Sequence, residues 1–176
     1  MSQHIAHEVD STALPGGAQH LADGSLDALM GVRDHAMARE DQRCRLLMTV
    51  PGVGNVTATA FAAAVEDPAN FKNSRSVGAW VGLTPRRYQS GEVDHDGHIS
   101  RRGDSRLRGL LYEAAAMILN RSRDTSSLRA WALALKERLG FKRAAVALAR
   151  KLAVIMHAML QTGELFNPHQ AKPVPE

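Results

Sequence analysis

The sequence predicts a mainly α-helical domain that contains one helix-hairpin-helix element and one irregular loop or short β-hairpin around residues 86–100. Most of the chain after residue 25 repeats its apolar residues at helical spacing. A Pro-Gly-Val-Gly turn at residues 51–54 separates two such stretches. The strong turn dipeptide Asp96-Gly97 lies in the segment that alternates weakly between apolar and polar residues, which favours a hairpin there.

The first elements precede and follow the glycine turn. Residues 1–24 are polar and aperiodic, so we expect a poorly ordered lead-in. Residues 25–49 have helical spacing after the N-cap Ser25, as one helix or as two with a break. A helix of small residues follows the turn, and the short helix after it takes Asn73 or Ser74 as its cap.

Three more helices are expected after the loop. Asp104 caps the first, whose apolar residues keep to one face. Asp124 or Thr125 caps the second, and Gly140 ends it. The last helix spans residues 142–161, and residues 167–176 form a flexible tail that contains prolines.

The composition is that of a soluble globular protein of 176 residues, 44% hydrophobic and 23% charged. The net charge of +4 and the pI of about 9.6 favour a polyanionic partner, with nucleic acid as the first candidate. The single cysteine, Cys44, excludes an intramolecular disulfide framework and a cysteine-rich zinc site. No apolar signal segment opens the chain, and Arg150 and Lys151 interrupt its longest apolar tract. We therefore expect a cytoplasmic protein without a membrane span.

Two glycines of the turn, Gly52 and Gly54, are candidate phosphate-binding residues. Glycine permits positive φ and leaves backbone N–H groups uncovered, while the N-terminus of the following helix adds a partial positive charge. Together these groups can hold a phosphate without reading a base. The alternative is a tight corner in which the glycines only let two helices pack.

An arginine cluster supplies the other candidate DNA-binding residues, Arg86, Arg87, Arg101, Arg102 and Arg106. Arginine forks match phosphate geometry, so such a cluster can follow a nucleic-acid backbone. Arg101 and Arg102 also precede a capped helix, where they could meet a phosphate docked at the helix start. Acidic residues lie among them, which leaves open a solvated loop of mixed charge.

A possible metal site is the group Asp94, His95, Asp96 and His98. Its spacing matches no recognised ligand pattern. We expect a polar hairpin tip here, with no metal bound by this group alone.

The block from Leu46 to Leu119 resembles the C-terminal transposase domain of bacterial insertion-sequence transposases of the one-hundred-and-ten and one-hundred-and-sixteen type. The likeness rests on the glycine turn together with the motifs "VGLTPR" and "ISRRGD", and it covers residues 40–166. Members of that family have an N-terminal domain resembling the RuvC resolvase, whose four acidic residues bind divalent metal. Their C-terminal domain supplies a serine nucleophile.

The resemblance implies a DNA strand-exchange enzyme in which a serine attacks a phosphodiester, forms a phosphoserine link to DNA and is released by religation. The serine between the two motifs is Ser90, which is therefore the implied catalytic residue. Sequence distance alone names no base for it, although Tyr88, His95 and His98 are conceivable neighbours. The implied partners are DNA, an element-encoded guide RNA in some members, and further subunits in a homo-oligomer.

No acidic metal-binding domain is recognisable before residue 40. We therefore expect a C-terminal piece of a transposase, with residues 25–49 as a remnant of the linking helix and residues 50–166 as the serine domain. Its cofactor, a divalent metal such as Mg²⁺, is expected on the missing domain, so this chain alone is expected to be inactive. Two alternatives remain, a non-catalytic DNA-binding helix-hairpin-helix module and a helical oligomerisation domain.

Overall fold

The computed structural model describes residues 41–90, 93–121 and 125–169, and for residues 86–90 and 93–97 it describes the backbone alone. Within these ranges the chain forms six α-helices, one 3₁₀ turn and one two-stranded sheet. The prediction of a mainly α-helical fold is confirmed. The expected lead-in, most of the expected linking helix and the last seven residues lie outside the described ranges.

The helices are α1 (Gln42–Leu47), α2 (Asn55–Val65), α3 (Ser74–Trp80), α4 (Ser105–Asn120), α5 (Ser127–Leu139) and α6 (Phe141–Thr162). The 3₁₀ turn Pro68–Asn70 lies between α2 and α3. Strands β1 (Pro85–Ser90) and β2 (Val93–Ile99) lie between α3 and α4 and pair antiparallel. The segment around residues 86–100 is thus a β-hairpin, the more regular of the two structures expected there.

The helix caps follow local chemistry. Asn73 Oδ1 accepts a hydrogen bond from the Ser76 N–H at 3.0 Å, as expected for the cap of α3. Asp104 caps α4, and Gly140, with φ of 79°, ends α5. The cap of α5 is Ser126, which accepts from the Arg129 N–H at 3.3 Å, and not Thr125. The helix begins one residue later than we expected, and a serine hydroxyl there reaches the third amide equally well.

α6 is the central helix of the fold and contacts α1, α3, α4 and α5. Its buried residues include Leu148, Leu152 and Met156, which join Phe61 of α2 and Leu111 of α4 in one hydrophobic core. By length and composition alone α6 would suit a membrane span. Half of its most apolar window is buried inside the fold, however, which is the pattern of a core helix.

His157 ties α6 to the segment before α3. Its ring is fully buried, with Nδ1 3.0 Å from Ser74 Oγ and Nε2 3.1 Å from the Pro68 carbonyl oxygen. Burial lowers the pKa of His157, although the Pro68 carbonyl raises it in part. Because a carbonyl only accepts, Nε2 carries the proton of the neutral ring. The Ser74 hydroxyl that lies beside Nδ1 donates to Gln161 Oε1 at 3.1 Å.

Candidate nucleic-acid interface

The Pro-Gly-Val-Gly turn joins α1 to α2 and lies directly on the middle of α4. Gly52 has φ of +77°, in the left-handed region that favours glycine. A Cβ on Gly52 would lie 2.7 Å from the Ala114 carbonyl oxygen and 2.9 Å from Ile118 Cγ1. Gly52 is therefore required for packing, so the corner interpretation of this glycine holds whatever else the turn contacts.

Gly54 differs from Gly52 in both conformation and surroundings. It is the N-cap of α2, with φ of −92° and ψ of 179°, and no side chain caps the helix. A Cβ on Gly54 would meet nothing within 4 Å, and the first turn of α2 contains no acidic residue. Space in front of the α2 start is thus open, and the partial positive charge of a helix N-terminus faces it.

The start of α4 is already occupied by a carboxylate. Asp104 Oδ1 accepts hydrogen bonds from the Arg106 N–H at 2.7 Å and the Leu107 N–H at 3.2 Å. A phosphate at this start would have to displace that carboxylate and would be repelled by it. Of the two helix starts that the sequence offered for a phosphate, the structure favours that of α2.

The motifs "VGLTPR" and "ISRRGD" form one unit, here called the glycine clasp, made of residues 80–84 and 100–103. A Cβ on Gly82 would overlap the Arg102 carbonyl oxygen, and a Cβ on Gly103 would overlap the Trp80 carbonyl oxygen. Both glycines have positive φ, 81° and 90°. The Arg101 N–H donates to the Gly82 carbonyl oxygen at 3.1 Å, and the Ser100 N–H donates to that of Thr84 at 2.8 Å. The clasp closes the base of the hairpin.

Three predicted DNA-binding arginines lie at the clasp and the adjoining end of α4. Arg101, Arg102 and Arg106 are exposed. Arg108, two residues further along α4, instead donates from Nη1 to the Val81 carbonyl oxygen at 3.2 Å and joins α4 to the clasp. Gly52 packs against Ala114 and Ile118 of α4. Ala114 follows Arg106 by eight residues, so the glycine turn lies about 12 Å from Arg106 along the helix axis.

Ser90 lies at the far end of the hairpin from the clasp. It is the last residue of β1 and pairs with Val93, while Pro85 pairs with Ile99 at the base. At about 3.3 Å per residue, β1 separates Ser90 from Pro85 by about 17 Å. The structure therefore does not bring Ser90 together with Arg101 and Arg102.

The register also divides the hairpin residues between its two faces. Tyr88 pairs with His95 and Arg87 pairs with Asp96, with an irregularity between Pro85 and Arg87. Because alternate residues of a strand share a face, Ser90 shares its face with Tyr88, Val93 and His95.

The remaining hairpin candidates divide as follows. Arg87 and Asp96 belong to the other face, and His98 lies near the base and is exposed. The side chains of Ser90, Arg86 and Arg87 lie outside the described part of the chain, and with them their predicted contacts to phosphate.

Among the side chains that the structure describes, no three His, Cys, Asp or Glu residues come together as a group that could hold a metal ion. The side chains of Asp94, His95 and Asp96 lie outside it.

Residues 44–130 match the family described as Transposase IS116/IS110/IS902 family. The chain is 38% identical to the transposase for insertion sequence element IS1111A of Coxiella burnetii over 133 residues, which are 75% of this chain and 36% of that protein. It is 36% identical to a probable family 20 transposase of Pseudomonas aeruginosa over 134 residues, 76% of this chain and 40% of that protein. It is 27% identical to the pilin gene-inverting protein of Moraxella bovis over 128 residues, 72% of this chain and 39% of that protein. The matched part thus spans two fifths or less of each of these relatives.

Proposed function

Because residues 44–130 carry a domain of the IS116/IS110/IS902 transposase family, we propose that this chain binds DNA and takes part in DNA cleavage and strand transfer during insertion-sequence transposition. The names of its relatives describe insertion-sequence transposases and, in Moraxella bovis, gene inversion. The positive net charge of the chain supports a polyanionic partner.

The open start of α2 is the observation that carries the DNA-binding part of the proposal. Gly54 leaves the first amide groups of α2 without a side-chain cap, and a Cβ on Gly54 would meet nothing within 4 Å. A backbone phosphate fits this space, because its charge suits the helix N-terminus and its oxygens accept from the amides. Such a contact positions the duplex without reading its sequence.

Substitutions at Gly54 test this contact without disturbing the fold. Gly54→Asp adds a carboxylate that caps α2 and stabilises the fold by a few tenths of a kcal/mol, while it fills the phosphate site with like charge. We expect its affinity for duplex DNA to fall at least tenfold, a loss of about 1.4 kcal/mol. Gly54→Ala is the matched control, since its Cβ has open space and leaves the amides uncovered.

Titration of fluorescent duplex DNA at fixed salt measures the affinity of each variant. If Gly54→Asp bound as tightly as Gly54→Ala and the wild-type chain, the α2 contact would be wrong. If the wild-type chain bound no DNA at all, the whole proposed function would fail.

The catalytic part of the proposal assigns the nucleophile to Ser90. Its hydroxyl oxygen attacks phosphorus, the bond to the leaving strand oxygen breaks, and the serine proton passes to a base while the leaving oxygen gains one. Tyr88 and His95, which the register places on the same hairpin face as Ser90, are the candidate bases. The divalent metal, Mg²⁺, is assigned to an acidic RuvC-like domain, where it would offset charge on the phosphate.

The remaining expectations belong to the same proposal. They are a homo-oligomeric enzyme, an element-encoded guide RNA and a cytoplasmic location. The oligomer and the guide RNA follow from the family resemblance, and the cytoplasmic location follows from the composition.

A second candidate function is a DNA-binding module in which Ser90 takes no part in chemistry. The separation of about 17 Å between Ser90 and the base of the hairpin favours it, because the clasp arginines do not offset charge beside the serine. Under this alternative Ser90→Ala leaves every DNA reaction unchanged.

A further inference from the structure

The positive charge of the chain is concentrated in its last two helices. α5 and α6 contain seven cations, Arg129, Lys136, Arg138, Lys142, Arg143, Arg150 and Lys151, and a single carboxylate, Glu137. The other residues contain 15 cations and 17 carboxylates. The two helices therefore hold a net charge of +6 against −2 for the rest of the chain.

An uncovered strip of α6 lies between α3 and α5, and two contacts mark its edges. On one edge the Arg150 stem covers Gly78 of α3, where a Cβ would lie 2.8 Å from Arg150 Cγ. On the other edge Lys151 Nζ lies 4.1 Å from the ring centroid of Trp131 in α5. Arg150 therefore contacts α3 and Lys151 contacts α5. Between these two contacts, the exposed side chain of Arg143 faces solvent.

The strip is here called the α6 outer face and consists of Arg143, Ala147, Arg150 and Val154, with Lys151 at its edge. The four residues follow one another at helical spacing and so lie in one row. Arg143 and Arg150 are exposed, about 10 Å apart along the axis. α6 contains no acidic residue, so no carboxylate of its own neutralises this row.

The neighbouring helix α5 adds to the same surface. Arg138 follows Trp131 by seven residues and so lies on the same side of α5. The one carboxylate of α5, Glu137, is rotated by about 120° from Trp131 around the axis of that helix, so it lies outside the row of Trp131 and Arg138. Burial lowers the pKa of Lys151, a penalty on its charged form that a nearby phosphate would offset.

We propose that the α6 outer face binds the phosphate backbone of duplex DNA, as a second contact surface separate from the α2 start. This inference rests on the proposed function, because DNA is the partner in both. The other two residues of the row, Ala147 and Val154, are half-buried and shorter than the arginines, so they allow a backbone to approach the cations closely. A lipid surface fits less well, because a helix that lies on a membrane presents bulky apolar residues beside its cations.

A double substitution, Arg143→Gln with Arg150→Gln, tests the surface in the full chain. Each phosphate contact contributes about 0.9 to the slope of log affinity against log salt, so we expect the slope to fall by about 1.8. The matched control is Lys72→Gln with Arg121→Gln, which removes the same charge from two exposed positions away from the strip. We expect its slope to change by less than half as much.

The measurement is the affinity for a duplex of random sequence between about 50 and 200 mM salt, where such contacts change affinity strongly. Thermal unfolding of both variants confirms equal folding. The inference would be overturned if the salt slope fell by the same amount in both double variants. It would also be overturned if the α6 variant kept the wild-type salt slope while Gly54→Asp lost affinity for DNA. The second outcome leaves the proposed function intact.

A vesicle-binding experiment tests the alternative that the α6 outer face binds a lipid surface. Binding to phosphatidylserine vesicles that the α6 variant loses, with no change in its DNA slope, would also overturn the inference. Absence of DNA binding by the wild-type chain would instead contradict the proposed function itself.

Discussion

Gly82 packs so closely against Arg102 that a Cβ on the glycine would overlap the arginine carbonyl oxygen and would lie 2.7 Å from its amide nitrogen. The two residues belong to different motifs, and the hairpin that carries Ser90 extends from between them. Because the contact is between backbones, it fixes the base of the hairpin more firmly than side-chain packing would. The clasp therefore fixes the base of the hairpin beside the start of α4.

Gly103→Ala is expected to destabilise the fold by at least about 3 kcal/mol, from the strain of a positive φ together with overlap on the Trp80 carbonyl oxygen. The measurement is urea unfolding followed by circular dichroism. Gly109→Ala is the matched control, because Gly109 lies in α4 and a Cβ there meets nothing within 4 Å. It should stabilise the helix by about 0.5–1 kcal/mol. Equal unfolding midpoints for the two variants would contradict the clasp.

Asp104→Ala is expected to lower stability by about 1 kcal/mol, because two amides of the first turn of α4 lose their acceptor. Ser105→Ala, at the next position and exposed, should change stability by less than about 0.5 kcal/mol. Thermal unfolding of both variants checks the difference. If Asp104→Ala left the thermal stability unchanged, the carboxylate would not occupy the start of α4. That start would then again be a candidate phosphate site.

His157 is expected to make stability fall as the pH drops below its ordinary pKa of 6.5. Burial lowers the pKa of His157 in the folded chain, so the unfolded chain binds a proton first and is favoured by acid. The contribution of the neutral His157 ring to the free energy of unfolding is fully present above pH 6.5. It is lost as the pH falls toward the lowered pKa of His157 in the folded chain. Urea midpoints between about pH 8 and 5 measure it.

Two variants isolate the His157 contribution. His157→Gln should lower stability by about 2 kcal/mol at high pH and should flatten the pH dependence. Ser105→Ala, at an exposed position without a titratable side chain, should leave the pH dependence as in the wild-type chain. An unchanged pH dependence in His157→Gln would show that the buried ring does not titrate in this range.

The helix ends of this fold could be predicted from the sequence, and long-range contacts could not. The hairpin tip predicted at residues 94–98, with its turn at Asp96-Gly97, was wrong, because these residues lie inside β2 and Ser90 already pairs with Val93. Asn73, Asp104 and Gly140 were correctly assigned as helix ends, because a cap depends on residues within one turn. Three consecutive residues before α5 can all act as caps, so the sequence does not single out Ser126.

The site was harder to predict because its parts meet through space. No neighbouring residue indicates that Gly82 packs against the motif of Gly103, or that Gly103 packs against the motif of Gly82. The sequence also does not show that Gly52 packs against α4 while Gly54 has open space around it. Arg101 and Arg102 are also distant from Ser90 in space, because an extended strand carries the serine away from the clasp.

The most direct test of the proposed function is whether Ser90 becomes covalently linked to DNA. The matched segment of the Coxiella burnetii transposase would be replaced by that of this chain, and the chimaera incubated with Mg²⁺ and DNA carrying the ends of IS1111A. We expect a denaturant-resistant adduct that mass spectrometry maps to Ser90, present in Ser105→Ala and absent in Ser90→Ala. An adduct of equal yield in Ser90→Ala, or strand transfer by that variant at the wild-type rate, would contradict the account.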